Sequence, residues 1–241
     1  MIQRMTLAEQ ASDAIVELIT GSDLEDGDAL PSTAELAERF SVSVPVVREA
    51  IAGLAALGVL KRRQGKESVV STPDADHLGR LLKFRIAHAR VDDAAIQQYR
   101  EVVEIGSARL AATNRDDEGI ARLEEAHRAQ QDAETDSDFH DGDVAFHAVV
   151  AHVSGNDLFE LTLDAISPLL RRLRSTVWEG WVSAGGDRSA IIDAHAAVLE
   201  CIRTGDADGA ARAMEAHLQQ ARIGLEADGA RTAADIPVRQ G

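Results

Sequence analysis

Residues 32–70 read STAELAERFSVSVPVVREAIAGLAALGVLKRRQGKESVV, and the fold of the first part of the chain turns on them. Ser32 followed by Glu35 is a capping box, in which hydroxyl and carboxylate each satisfy a backbone N–H at a helix start. It opens a short helix ending near Phe40. Ser43 caps the next helix, whose Val47, Ile51, Leu54 and Leu57 recur at helical spacing, with Gly58 placed to stop it. Residues 59–63 and 68–71 then read as two short strands with Gly65 in the turn between them. Upstream, Thr6 and Glu9 repeat the capping-box pattern for a first helix over 7–20, which is apolar at Ile15, Leu18 and Ile19, and 21–31 is rich in turn formers. Two short helices joined by a tight turn and followed by a hairpin predict a winged helix-turn-helix, a fold whose second helix enters the DNA major groove.

Charge sharpens that expectation. The 241-residue chain has a net charge of −16, which by itself argues against a nucleic-acid partner. The distribution does not: from Arg39 to Lys66 the charged residues are Arg39, Arg48, Lys61, Arg62, Arg63 and Lys66, with Glu49 as the acid. Ser43, Val44, Val46 and Arg48 would face base edges from the exposed start of the helix, and Arg62, Arg63 and Lys66 around Gly65 would reach the backbone or minor groove. The residues alone also allow a small helical packing module with a solvated basic face.

Beyond a linker at 71–74, the pattern is helical throughout. Hydrophobic residues are 45% of the chain but aromatics only 3%, so the core must be built from Leu, Ile, Val and Ala, which favours helices. Expected spans are 76–90, 93–114, 116–132, 138–153, 157–180, 187–204 and 206–227, with Asp92, Asp116, Asn156, Asp187 and Asp206 as N-caps and Pro168 as a kink point. The mainly α chain thus divides into a winged helix-turn-helix at 1–72, an all-helical bundle at 76–227, and an aperiodic, disordered tail at 228–241. A single cysteine, Cys201, and the lack of an apolar leader or a membrane-length apolar run point to the cytoplasm.

In the helical part, Asp143 and His147 are four apart and share a helix face, and His195 and His217 lie on two later helices. Three imidazoles and a carboxylate suit Zn, and equally Ni, Mn or Fe. Spacing alone leaves the Asp–His pair open to a surface role, and His140 or His152 could serve in other geometries. Arg100 with Glu104 at i+4 reads as a structural ion pair.

The head closely resembles the GntR family of bacterial transcription regulators. The resemblance is carried by Ile19-x-Gly21, Gly27-Asp28-x-Leu30-Pro31-Ser32, Glu35-Leu36-Ala37 and the run from Val42 to Ile51, with Leu54 and Gly58. The helical part is similar to the FCD effector domain of the FadR-type branch, through Arg100 with Glu104, Asp143-x-x-Phe146-His147, Ser154-Gly155-Asn156, His195, and Gly205-Asp206 with Ala210 leading to His217. The resemblance implies a homodimer on pseudo-palindromic operator DNA. It also implies a divalent metal, with Zn the first candidate, on Asp143, His147, His195 and His217, and an effector pocket faced by Arg100, a residue type suited to gripping a carboxylate.

This chain departs from the family where arginines are usual, at Ala34 and Val44, in a wing reading Gly65-Lys66-Glu67, and at Ala194, where an acid commonly precedes the third ligand. The expected function is a transcription regulator, a repressor, whose operator affinity responds to a small carboxylate bound at the metal. The alternatives are a regulator that answers to metal alone, and a metal-dependent enzyme with Asp141 as its nearest candidate acid or base.

Overall fold

The computed structural model describes residues 5–63 and 66–234, divided into two compact units, Met1–Leu78 and Gly79–Gly241. Gly65 of the expected wing and residues 235–241 of the expected tail lie outside the described residues.

The first unit is built from α1 (Leu7–Gly21), α2 (Thr33–Arg39), α3 (Val44–Ala56), β1 (Leu60–Lys61) and β2 (Val69–Val70). Both capping boxes form: Glu9 N donates to Thr6 Oγ1 at 3.1 Å while Thr6 N donates to Glu9 Oε2 at 2.7 Å, and Ser32 and Glu35 do the same. Ile15, Leu36 and Val47 are completely buried at the centre of its core, with Leu30, Leu54 and Leu60 around them. Gly58 ends α3 at φ +80° with the His77 ring packed where a Cβ would stand, so both backbone and space demand glycine there.

Three expectations are corrected in this unit. Ser43 is the N-cap of α3 but makes no side-chain capping bond. Pro45, in the first turn, lacks one of the N–H groups a capping hydroxyl would take. The two strands are shorter than expected, and the antiparallel hairpin, with Leu60 opposite Val70, gains a third edge from residues read as turn. Ala29 bridges Val69, Leu30 N donates to Ser68 O at 2.9 Å, and Val70 N donates to Asp28 O at 2.8 Å. The stretch after β2 is fastened down, with Ser71 N on Val59 O at 2.9 Å and Thr72 N on Asp26 Oδ1 at 2.8 Å.

The boundary between units falls within α4 (Ala75–Ala89). The second unit continues with α5 (Asp93–Asn114), α6 (Asp117–Gln131), α7 (Asp136–Val153), α8 (Asp157–Ser183), α9 (Arg188–Thr204) and α10 (Ala207–Ala234). Asp92, Asp116, Asn156 and Asp187 cap their helices as expected, and Asp206 Oδ1 accepts from Gly209 N at 2.8 Å. α10 packs along α8, α5 and α9, and α7 lies against α6, α8 and α5. Small residues permit these close crossings: Ala108, Ala111, Ala112 and Ala210 are completely buried. At the α8–α10 crossing, a Cβ on Gly180 would collide with the Gly224 backbone, and one on Gly224 with the Val177 carbonyl.

The aperiodic tail is corrected for residues 228–234, which continue α10. Arg231 ties this end of the helix down, pairing with Glu179 of α8 at 2.8 Å and with Asp228 at 2.5 Å. Among the described residues, no helix is long and apolar enough to cross a membrane.

Candidate functional site

Two groups of side chains carry chemistry. In the first unit, Arg48, Arg62, Arg63 and Lys66 line one groove with Ser32, Thr33 and Glu67. All four cations are exposed. Val44 and Val46, expected to face outward with Arg48, are only half exposed and pack on the core. The first turn of α3 therefore presents Ser43, Pro45 and Arg48, and the Ser43 hydroxyl is not engaged in capping. A groove with basic walls beside an open helix N-terminus is suited to a phosphate backbone.

The second group is buried, and each helix from α5 to α10 contributes to it. α7 supplies Asp143 and His147, α9 supplies His195 and α10 supplies His217, and one ligand atom from each lies within 4.8 Å of all the others. His147 Nε2 and His195 Nε2 stand 3.1 and 3.2 Å from His217 Nε2, and Asp143 Oδ1 is 3.5 Å from His195 Nε2 and 3.9 Å from His147 Nε2. His140 and His152 lie outside this set: His140 stands edge-on to Trp178, and His152 pairs with Glu160.

The opposite edge of each imidazole has its own oxygen partner. His195 Nδ1 lies 2.6 Å from Gln130 Oε1, His217 Nδ1 3.2 Å from Gln220 Oε1, and His147 Nδ1 2.5 Å from Glu104 Oε2, the last contact oblique to the ring N–H. A carboxylate or amide oxygen accepts, so the proton of each ring is assigned to Nδ1 and the lone pair to Nε2. Three lone pairs and a carboxylate oxygen then face one point, an arrangement that repels itself unless a cation joins it. Tetrahedral Zn–N bonds of about 2.0–2.1 Å would space their nitrogens by about 3.3 Å, close to the separations found here.

Burial, and then the neighbouring imidazoles, push His195 well below the ordinary histidine range and His217 down to about 3, so both rings are neutral donors at neutral pH. Phe146, completely buried, stacks on His195 with ring centroids 4.2 Å apart and fixes its plane.

Arg100 and Arg174 frame the cluster. Arg100 Nε donates to Glu104 Oε1 at 2.7 Å and its Nη1 to Gln97 Oε1 at 3.3 Å, so the ion pair read from i+4 spacing is present and entirely buried. Burial alone would raise Glu104, but Arg100 and His147 together outweigh it and hold the carboxyl well below its usual range. Arg174 of α8 lies against Asp143 Oδ2, and its Nη1 and Nη2 are buried without a hydrogen-bond partner. Burial would likewise raise Asp143, and Arg174 together with the three imidazoles keeps it well below the usual carboxylate range. A cavity of about 40 Å³ opens beside the cluster, and Arg100, Arg174, Asp143 and His217 all line it.

Arg174 is invisible to spacing, because it sits in a run with Arg171 and Arg172 that reads as a solvated face. Gln130 escapes sequence reasoning as well; it takes the His195 Nδ1 that the alanine at 194 cannot serve. Asp141, the candidate acid or base of the enzyme reading, is an exposed partner of Arg171.

Comparison with known proteins bears on both groups. Residues 7–70 match the pattern described as bacterial regulatory proteins, gntR family, and residues 95–220 match the FCD domain. The chain is 32% identical over 224 residues to the HTH-type transcriptional repressor NanR of Klebsiella aerogenes, covering 90% of this chain and 85% of that protein. It is 28% identical over 203 residues to the HTH-type transcriptional regulator LutR of Bacillus subtilis, covering 83% of this chain and 93% of that one. Among solved structures it is similar to a Streptococcus agalactiae GntR protein, with a TM-score of 0.68, 26% identity, and coverage of 89% and 98% of the two chains.

Proposed function

The chain belongs to the GntR family of bacterial regulatory proteins and carries an FCD domain, and on that premise we propose that it is a repressor released or strengthened on its operator by a small carboxylate bound beside a metal. It is a DNA-binding transcription regulator; the relatives it matches are regulators too, so the enzyme reading falls away. Asp143, His147, His195 and His217 would hold the divalent metal, Zn being the first candidate by its taste for imidazole and carboxylate. Once bound, the metal supplies a positive charge able to polarise a carboxylate.

The observation that carries the effector reading is the buried Arg174 fork, with two unpartnered nitrogens in a guanidinium lining the same cavity as the ligand set. Charge balance supports it. Arg100 and Arg174 cancel Glu104 and Asp143, so a divalent cation leaves the buried cluster positive. Excess buried charge is costly, and an anion entering the cavity relieves it. Arg174 is the free hydrogen-bond donor for that anion. Arg100 also lines the cavity, with all three of its nitrogens held by Glu104 and Gln97. This favours an organic acid over a regulator answering to metal alone.

On DNA, two heads of a homodimer would read operator half-sites, Arg48 at base edges and Arg62, Arg63 and Lys66 on the backbone. The effector must prefer one arrangement of the heads by ~1–3 kcal/mol to act as a switch. The test is linkage. Metal-loaded protein is titrated with a panel of carboxylates with and without saturating operator DNA. A carboxylate that changes operator affinity must have its own affinity changed by operator by the same factor. If every carboxylate that binds does so equally in both conditions, the switch does not exist.

A further inference from the structure

An aromatic-poor chain has placed both of its largest rings on one cavity. The sequence holds two tryptophans, and both, Trp178 and Trp181, line the cavity beside the metal-ligand cluster. Phe139 and His140 join them from the start of α7: Phe139 lies 5.5 Å from Trp178, and His140 stands edge-on to it at 6.1 Å.

The cavity is polarised from end to end, and the helices explain why. On α8, Arg174 is followed by Val177, Trp178 and Trp181, positions that share one face at helical spacing. On α7, Phe139 and His140 precede Asp143 by one turn. Charged groups therefore occupy one end and rings the other, separated by about 6 Å along α7 and about 10 Å along α8 at the usual helical rise.

The polar edge of Trp181 is already engaged. Trp181 Nε1 donates to Asp187 O at 3.1 Å. Nearby, Gln220 uses its oxygen on His217 and its nitrogen on Ala190 O. A polyol entering this end would lose its water and find the Trp181 N–H already taken, whereas a ring would meet aromatic surface.

We propose that the effector is an aromatic carboxylate, its carboxylate at the Arg174 and metal end of the cavity and its ring against Trp178 and Trp181. The assignment rests on the carboxylate reading above and narrows it, because a short hydroxy acid would leave the aromatic end unfilled and a sugar acid would place hydroxyls there.

Full-length, metal-loaded protein is titrated with benzoate, phenylacetate and 3-phenylpropionate, which step the ring away from the carboxylate. Lactate, citrate, gluconate and cyclohexanecarboxylate serve as comparators. Tryptophan emission reports directly, since both indoles line the site, and thermal shift gives an independent readout. The expected result is that one of the three aryl acids binds at least tenfold more tightly than any comparator and changes the emission, and that Trp181→Leu and Trp178→Leu each weaken it tenfold or more. The ranking on unaltered protein decides the matter even if a variant fails to fold. If a polar comparator binds as tightly as the best aryl acid, the aromatic assignment is overturned and the carboxylate reading stands. Equal binding of cyclohexanecarboxylate also overturns it, in favour of a merely apolar tail. If no acid of either set binds, the carboxylate reading itself falls.

Discussion

The protein uses charge in two opposite ways. In the helical unit, Arg100, Glu104, Asp143 and Arg174 are withdrawn from water and set against one another, each at a fixed place on a different turn of the bundle. On the reading head, Arg48, Arg62, Arg63 and Lys66 stand in water, and none of them forms an ion pair among the described residues. Buried charges depend on their partners, so the first set is tied to stability; exposed like charges stabilise nothing locally, so the second set is available to something outside the protein. A substitution in one region should therefore register in a measurement that the other region barely moves.

The largest effect tests the buried set. Asp143→Ala leaves the Arg174 guanidinium inside without its partner, and in metal-free protein it should lower unfolding free energy by about 3–5 kcal/mol. Chemical denaturation measures this. A loss below about 1 kcal/mol would mean that water reaches Arg174 and that the contrast between the regions is false.

Next comes the exposed set. Arg48→Ala should cost about 1–3 kcal/mol in operator affinity and relax the preference at one base, while stability stays within about 0.5 kcal/mol of the parent. Lys66→Ala should weaken all DNA sequences evenly and reduce the slope of log affinity against log salt by about one unit. Titrations by fluorescence anisotropy at several salt concentrations separate the two, and parent-like binding by both variants would place the DNA elsewhere.

The smallest effect divides two serines at helix starts. Ser32→Ala breaks a capping box and should cost about 1 kcal/mol of stability. Ser43→Ala breaks no capping bond and should cost only a few tenths, yet weaken DNA binding if the hydroxyl serves a phosphate. Equal stability losses would show that Ser43 caps α3 in solution after all.

Much of this is legible in the sequence, for local reasons. Capping boxes at Thr6 and Ser32, the stop at Gly58 and the N-caps of the bundle each depend on residues within one turn, and the structure has them. The Asp143, His147, His195 and His217 quartet is readable through its resemblance to FCD domains, since Asp143 and His147 announce themselves as an i, i+4 pair but His195 and His217 do not. What stays hidden depends on packing. Nothing in Arg171-Arg172-Leu173-Arg174 marks the last arginine as the one that turns inward, because that follows from which face of α8 meets α7 and α10. The end of α10 reads as a tail because residues 228–234 carry no apolar periodicity. Ion pairs made by Arg231, rather than an apolar face, hold that stretch against α8.

The Gly180–Gly224 crossing limits how the chain can vary. Backbone meets backbone there, so no compensating change in a neighbouring side chain can make room for a methyl group. In a saturation library sorted for soluble protein, both positions should stay glycine. His217, on the same α10, should accept many substitutions in that sort and almost none in a second sort for regulated expression. The crossing would then appear as intolerance without any regulatory signature, and a survey of variants could tell apart the residues that let the chain exist from those that let it respond.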